Sequence, residues 1–237
     1  MTAEYRTDIL AFGAHADDVE IGMGGTIAKL AARGKKVVIC DLTKASYSSN
    51  GTVSLRMEEA KNAANILGVT ERRTLDLPDR GLYMKEENIE KIVAIIRAYA
   101  PKLVFAPFAV DRHPDHGNAS RLVREATFSA GIHKFMAETQ DSAHRPKALH
   151  YYMINGFHQP DFFVEIDKFM EKKICSLKAY ESQFTRGDNG VETPLTNGYI
   201  DGVMARERVF GKETGFLYAE GFKTEKAIVL DQDLLGE

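Results

Sequence analysis

Two short segments of this 237-residue chain concentrate side chains able to bind a metal ion or move a proton. One is His15-Ala16-Asp17-Asp18 and the other is Asp111-Arg112-His113-Pro114-Asp115-His116. Two imidazoles and one carboxylate are the ligand set of many hydrolytic zinc sites, which keep one position open for water. Water bound at such a site ionises near pH ~7 and becomes a nucleophile under mild conditions. Adjacent Asp17 and Asp18 point in different directions, so one can ligate while the other acts as general base. His113 and His116 lie three apart at a helix start, on one face. One can ligate while the other, as a cation, faces developing negative charge, and Asp115 can orient one of the rings.

Such residues act together only if the fold brings them to one place. Ile9–Phe12 is a short apolar run ending at Gly13, which reads as a buried strand. Gly22-Met23-Gly24-Gly25 follows, then a helix over 26–33 with Gly34 as its C-cap. Further strands are expected at 37–40, 73–77 and 103–105, and helices at 55–67, 86–99 and 114–128, the last with Pro114 where its missing N–H costs nothing. This alternation predicts an α/β, Rossmann-like, mostly parallel sheet with helices on both faces. Both clusters then fall at the carboxyl edge of the sheet, where open α/β sheets bind ligands.

The second half is less regular. Strands are expected at 149–154 and 162–166, and helices at 168–180 and 203–211. A turn-rich stretch over 185–198 is long enough to be either disordered or functional, for example as a lid. The hydroxyl-rich loop at 43–54 suits the rim of a sugar site. With no repeat and no linker, the expectation is one domain over 1–237: a core over about 5–130 and a part over about 131–237 that completes the pocket.

Composition narrows the class of protein. Lys plus Arg number 31 and Asp plus Glu 34, a net charge of −3 that argues against capture of nucleic acid or of an anionic membrane. Nineteen dispersed Gly and seven Pro exclude a collagen-like or low-complexity chain. Cys40 and Cys175 cannot form a disulfide scaffold and suit a reducing compartment. The first eight residues lack a signal-peptide pattern, and no apolar run reaches spanning length. A soluble, cytoplasmic protein acting on a small molecule is expected.

Plainer roles compete at several positions. Asp17 would serve as a turn or helix cap, Asp115 as a first-turn helix charge, and Arg56 as an intrahelical partner of Glu58 or Glu59. Arg112 is either solvated or touches substrate. His133, His144, His150 and His158 have no partner pattern, Cys40 reads as a buried thiol, and Glu171-Lys172-Lys173 reads as a solvated helix face. Two other functions also share these letters. Reading His15-x-Asp17 with a second His gives the facial triad of non-haem iron oxygenases, although that motif belongs on a jelly roll. Gly22-x-Gly24-Gly25 suggests a dinucleotide-binding module, but Ile27 stands where the third glycine of G-x-G-x-x-G belongs.

The two motifs together resemble the signature of the LmbE-like (PIG-L type) zinc-dependent N-acetylglucosaminyl deacetylases, A-H-P-D-D followed by H-x-D-H. The similarity runs over nearly the whole chain and includes Gly22–Gly25, Arg56-Met57-Glu58-Glu59-Ala60, His144-Arg145-Pro146 and Tyr218-Ala219-Glu220-Gly221-Phe222. Ala16 departs from the pattern, standing where most members have Pro. The resemblance implies zinc ligation by His15, Asp18 and His116, with Asp17 as the base that activates zinc-bound water. It implies that His113, paired with Asp115, stabilises the oxyanion or protonates the leaving amine. Arg56 would meet an anionic part of the substrate, with Arg145 and Tyr199 near the acetyl group and the tetrahedral intermediate. It further implies a homohexamer acting on a small anionic sugar, N-acetyl-D-glucosaminyl-L-malate of bacillithiol biosynthesis, giving D-glucosaminyl-L-malate and acetate. Other N-acetylglucosamine compounds such as chitooligosaccharides are the alternative. Iron and manganese compete with zinc for this ligand set.

Overall fold

The computed structural model describes residues 5–136, 141–187 and 190–228. Alternate residues of the first strand, β1 (Thr7–Gly13), feed opposite faces of the sheet. Leu10 and Phe12 join Val38, Cys40 and Val104 in a core that also takes in Ile92, Val93, Ala119 and Leu122. Ile9 and Ala11 join Ile39 and Phe105 against Ile21, Ile27, Leu177 and Val203. Helices therefore cover both faces, as the alternating pattern predicts.

The sheet has seven strands in the order β3-β2-β1-β4-β5-β7-β6. Strands β2 (Val37–Thr43), β3 (Glu71–Leu77), β4 (Pro101–Pro107) and β5 (Ala148–Tyr152) continue the parallel array begun by β1. Strand β7 (Ala219–Thr224) runs antiparallel between β5 and β6 (Phe162–Glu165). It has no counterpart among the expected strands, because Ala219-Glu220-Gly221-Phe222 lacks an apolar run. The helices are α1 (Asp18–Ala32), α2 (Val53–Leu67), α3 (Glu86–Tyr99), α4 (Pro114–Ala130), α5 (Met170–Lys178), α6 (Glu181–Phe184) and α7 (Tyr199–Thr214). A 3₁₀ turn over Asp167–Phe169 precedes α5.

The glycine segment 22–25 lies inside α1, which starts eight residues earlier than its apolar spacing suggests. A Cβ on Gly22 would lie 2.0 Å from the Tyr152 ring, and one on Gly25 2.7 Å from Ile166. These glycines let the helix approach the sheet closely; they do not cradle a phosphate. The helix breaks only at Met23 (φ −149°, ψ 22°). The freed N–H groups of Gly25 and Thr26 donate to the Glu220 carboxylate at 2.9 and 2.6 Å, so a side chain from β7 caps the second half of α1.

Lys173 corrects the expectation of a solvated face at 171–173. It is fully buried, with its Nζ 2.6 Å from both Glu207 and Glu220. Arg206 joins Glu207 at 2.8 Å and donates to the carbonyls of Ile21 and Ile154. Burial opposes the charge on Glu207, but Arg206 and Lys173 outweigh it and hold that carboxyl below its usual range. This stabilisation is present above the unfolded value of ~4.3 and is lost as pH falls through the lower folded value. Replacing Glu220 by Ala strands the Lys173 cation with one partner and uncaps a helix. Its unfolding free energy should fall by about 3–5 kcal/mol in urea titrations, with a smaller loss for Glu220→Gln.

Candidate active site

Strands β1 and β4 pair in parallel, with Thr7 opposite Pro101 and Ala11 opposite Phe105. The strand order reverses between them, so the segments leaving their carboxyl ends open a crevice. His15 to Asp18 leave β1 there, and Asp111 to His116 arrive there from β4. Pro114 opens α4, and the His113 ring caps it by accepting from the Asp115 N–H at 3.3 Å.

Asp18 sits between two rings, with Oδ2 3.6 Å from His15 Nδ1 and Oδ1 3.1 Å from His116 Nε2. The other nitrogen of each ring meets a further carboxylate. His116 Nδ1 is 3.0 Å from Asp111 Oδ1, and His15 Nε2 is 3.4 Å from Asp79 Oδ1 and 3.5 Å from Asp115 Oδ2. Carboxylates behind imidazoles fix the tautomer and aim the opposite nitrogen, as at histidine metal sites. Among the described residues, His15, His113 and His116 bring ligand atoms within 4.8 Å of one another, as do His15, Asp79 and Asp115. This mixed nitrogen and oxygen donor set fits a divalent transition metal. Burial disfavours a charged His116, yet Asp18 and Asp111 prevail and raise it to about 9. Without a metal, then, a proton occupies the place a cation would take.

His113 differs from the expected pairing. Its ring stacks on His116 at 4.7 Å and 23°, while the Asp115 carboxylate turns to His15 and to Arg80, whose N–H donates at 2.9 Å. Burial, with His15 and His116 nearby, pushes His113 down to about 4. With Nδ1 accepting from the Asp115 N–H, a neutral His113 ring offers Nε2–H as a donor.

Asp17 makes no helix-capping hydrogen bond, although it holds the N-cap position with φ 109°. A non-glycine residue there carries backbone strain of about 1–3 kcal/mol. Burial raises its carboxyl to about 7 against the opposing charge of Arg56, the range suited to a general base near neutrality. Arg56 lines the same pocket but is committed, with Nη2 2.9 Å from Asp17 Oδ2, Nε donating to the Ala16 carbonyl at 3.0 Å and Nη1 to Ser48 at 3.2 Å. Its guanidinium holds the Asp17 segment, and Glu59 is occupied by Ser182.

The remaining candidates divide. The Tyr199 hydroxyl donates to Asn155 Oδ1 at 3.0 Å, and Asn155 Nδ2 donates to Asp111 Oδ1 at 3.0 Å, linking α7 to His116. Arg112 lines the pocket, exposed and without an ionic or hydrogen-bond partner among the described residues. Arg145 stands apart, lining a separate cavity with Arg124 and Phe128. Of the 185–198 loop, residues 188–189 lie outside the described residues, and Thr193, Pro194 and Leu195 line the pocket. Asp79 and Asn155 were missed because neither belongs to a spaced motif. Each follows a parallel strand by two or three residues, and that position was the available signal.

A metal-capable pocket at the switch point of a doubly wound sheet, with a buried carboxylate near neutrality, defines a hydrolase site of the metal-assisted kind. Residues 10–127 match the family model described as PIG-L, GlcNAc-PI de-N-acetylase. The chain is 33% identical over 232 residues to diacetylchitobiose deacetylase of Thermococcus kodakarensis, covering 94% of this chain and 84% of that one. It is 26% identical to a probable N-acetyl-alpha-D-glucosaminyl L-malate deacetylase of Bacillus anthracis, covering 86% and 92%. The crystal structure of a conserved protein from Thermus thermophilus superposes with a TM-score of 0.87 at 35% identity, covering 94% and 97%. The chain belongs to the PIG-L (LmbE-like) deacetylase family and has deacetylase activity of the N-acetylglucosamine type.

Because protons on His15 and His116 compete with a metal, affinity for Zn²⁺ should rise with pH up to about 9. Titration calorimetry in buffers of different ionisation enthalpy should register proton release at neutral pH, and less of it for His116→Ala.

Proposed function

We propose that this chain hydrolyses the acetamide of an N-acetylglucosaminide to acetate and a free amine. The observation that carries the proposal is the geometry: a buried Asp17 carboxyl beside an Asp18 carboxylate that touches two carboxylate-backed imidazoles. A divalent ion held by His15, Asp18 and His116, with zinc the first choice and iron or manganese its competitors, supplies Lewis acidity and lowers the pKa of water. Asp17 takes the proton of the attacking water as its oxygen bonds to the amide carbon. His113 Nε2–H donates to the carbonyl oxygen as it gains negative charge, so a neutral ring suffices. Asp17 then returns the proton to the nitrogen as the carbon–nitrogen bond breaks. Asp115 and Asp79 orient His15, Asp111 orients His116, and Arg56 keeps Asp17 facing the pocket. Tyr199, a pocket-lining residue whose hydroxyl donates to Asn155, is the group assigned to the acetamide in this reading.

Two groups can be linked to the reacting sugar. L-malate, as in N-acetyl-D-glucosaminyl-L-malate, is supported by the Arg112 guanidinium beside the pocket, which has no ionic or hydrogen-bond partner among the described residues. A second sugar is supported by the similarity to diacetylchitobiose deacetylase over nearly the whole chain. A homohexamer in the cytoplasm goes with either reading.

Asp17→Asn should lower kcat for acetate release about 10²–10⁴-fold with little change in metal content. Chelation should abolish activity, and added Zn²⁺ should restore it. Near-normal turnover by Asp17→Asn would assign the proton transfer to another group.

A further inference from the structure

The direction of each hydrogen bond between Asp111 and Tyr199 follows from what the atoms can donate or accept. Asp111 Oδ1 receives the His113 backbone N–H at 2.7 Å and Asn155 Nδ2 at 3.0 Å, and Oδ2 receives the Asn155 backbone N–H at 3.0 Å. A carboxylate only accepts, so the Asn155 amide must turn its NH2 towards Asp111. Its Oδ1 is then left for the Tyr199 hydroxyl at 3.0 Å. The Ile154 carbonyl, 3.1 Å from the same hydroxyl, also only accepts, and it already receives Arg206 Nη1 at 2.9 Å. Tyr199 therefore meets two acceptors on its protein side.

A phenol has one proton to donate and lone pairs to accept with. The Tyr199 proton is spent on Asn155 or Ile154, and burial, against the opposing charge of Arg206, raises the hydroxyl above the ordinary tyrosine range and keeps that proton in place. What Tyr199 offers to the pocket it lines is thus an oxygen lone pair. It cannot also donate to a carbonyl oxygen gaining negative charge, so that task is left to His113 Nε2–H. The charges of Asp17 and Asp18 act on the same hydroxyl, which sets it at the reacting end of the pocket. In the deacetylase reading, that end holds the nitrogen to which Asp17 returns its proton. The N–H and C=O of a planar trans amide point in opposite directions, so an acetamide calls for one donor and one acceptor on different sides. His113 at the start of α4 and Tyr199 at the start of α7 supply that pair. Asp17 and Asp18 accept as well, but one faces the attacking water and the other the two imidazoles.

We infer that the Tyr199 oxygen accepts the N–H of the substrate acetamide, and that this contact favours amides over oxygen esters. The inference rests on the deacetylase reading above, and its test separates the two. An acetate ester has the same carbonyl and passes through the same kind of tetrahedral intermediate. It has no N–H, however, and sets an oxygen lone pair against that of Tyr199. Acetate release by the Zn²⁺-loaded chain is measured with the methyl glycoside of N-acetyl-D-glucosamine and with its 2-O-acetyl counterpart, in which oxygen replaces the amide nitrogen. Tyr199→Phe should lower kcat/KM for the amide about tenfold, mainly through KM, and leave that of the ester unchanged or higher. Calorimetric binding gives a second readout that needs no turnover of the ester. In the Asp17→Asn chain, adding Tyr199→Phe should weaken the amide about tenfold and leave the ester within about twofold. Equal losses for amide and ester would overturn the assignment, because a donor to the carbonyl oxygen or a purely structural residue serves both substrates alike. An amide unaffected by Tyr199→Phe would overturn it as well. If the Zn²⁺-loaded parent chain releases no acetate from the amide, the deacetylase reading itself fails.

Discussion

A carboxylate deep in a protein is costly unless cations or hydrogen bonds answer it, and Asp18 is such a group. Its two oxygens face His15 and His116, which arrive from different strands, and the His15 backbone N–H donates to it at 2.9 Å. Those rings answer the charge by donating N–H hydrogen bonds, by holding an extra proton or by sharing a cation. Asp111, Asp79 and Asp115 behind them make either state more favourable. The crevice between β1 and β4 is thus a place where negative charge gathers and positive charge is required. The neighbouring Asp17 and His113 take their properties from that arrangement. One is driven towards neutrality by burial and adjacent carboxylates, and the other is kept uncharged by burial and adjacent rings.

The same electrostatics shape the supporting structure. Below the pocket, Arg72 forms a two-bond pair with Asp41 and reaches Glu20, to which the Tyr180 hydroxyl also donates. On the other side, Lys173 and Arg206 answer Glu207 and Glu220. Each of these buried acids has a buried base within reach, and each network joins the first half of the chain to the second. Arrangements of this type add modest stability over an apolar core, but breaking one member is severe.

Much of this was readable in the sequence, for physical reasons. Parallel strands are buried on both faces, so 9–12, 37–40 and 103–105 stand out as apolar runs, and topology then carries whatever follows them to one edge. His15, Asp17, Asp18, His113 and His116 could therefore be assembled from letters and spacing. The partners of those residues could not. Arg56 looked available for substrate because a sequence does not show that its guanidinium is already taken by Asp17 and Ala16. Asp115 looked like the partner of His113 because it is adjacent in sequence, whereas its carboxylate turns to His15 and Arg80. Strand β7 escaped notice because it contributes Glu220, a buried charge, where pattern reading looks for apolar side chains. Lys173 was misread for the same reason.

The break at Met23 makes α1 two short rods joined end to end. The first carries Asp18 and is gripped at the Ile21 carbonyl by Arg206, while the second begins with N–H groups that Glu220 receives. Both grips come from the last described segment, 190–228. A fragment ending near residue 130 would keep every candidate donor and most of the parallel strands, yet it would leave those N–H groups and that carbonyl without their partners. The chemistry is encoded mostly in the first half, but that half is not modular. It cannot be excised and transplanted as a catalytic cassette, because its central helix is completed by residues from the far end of the chain.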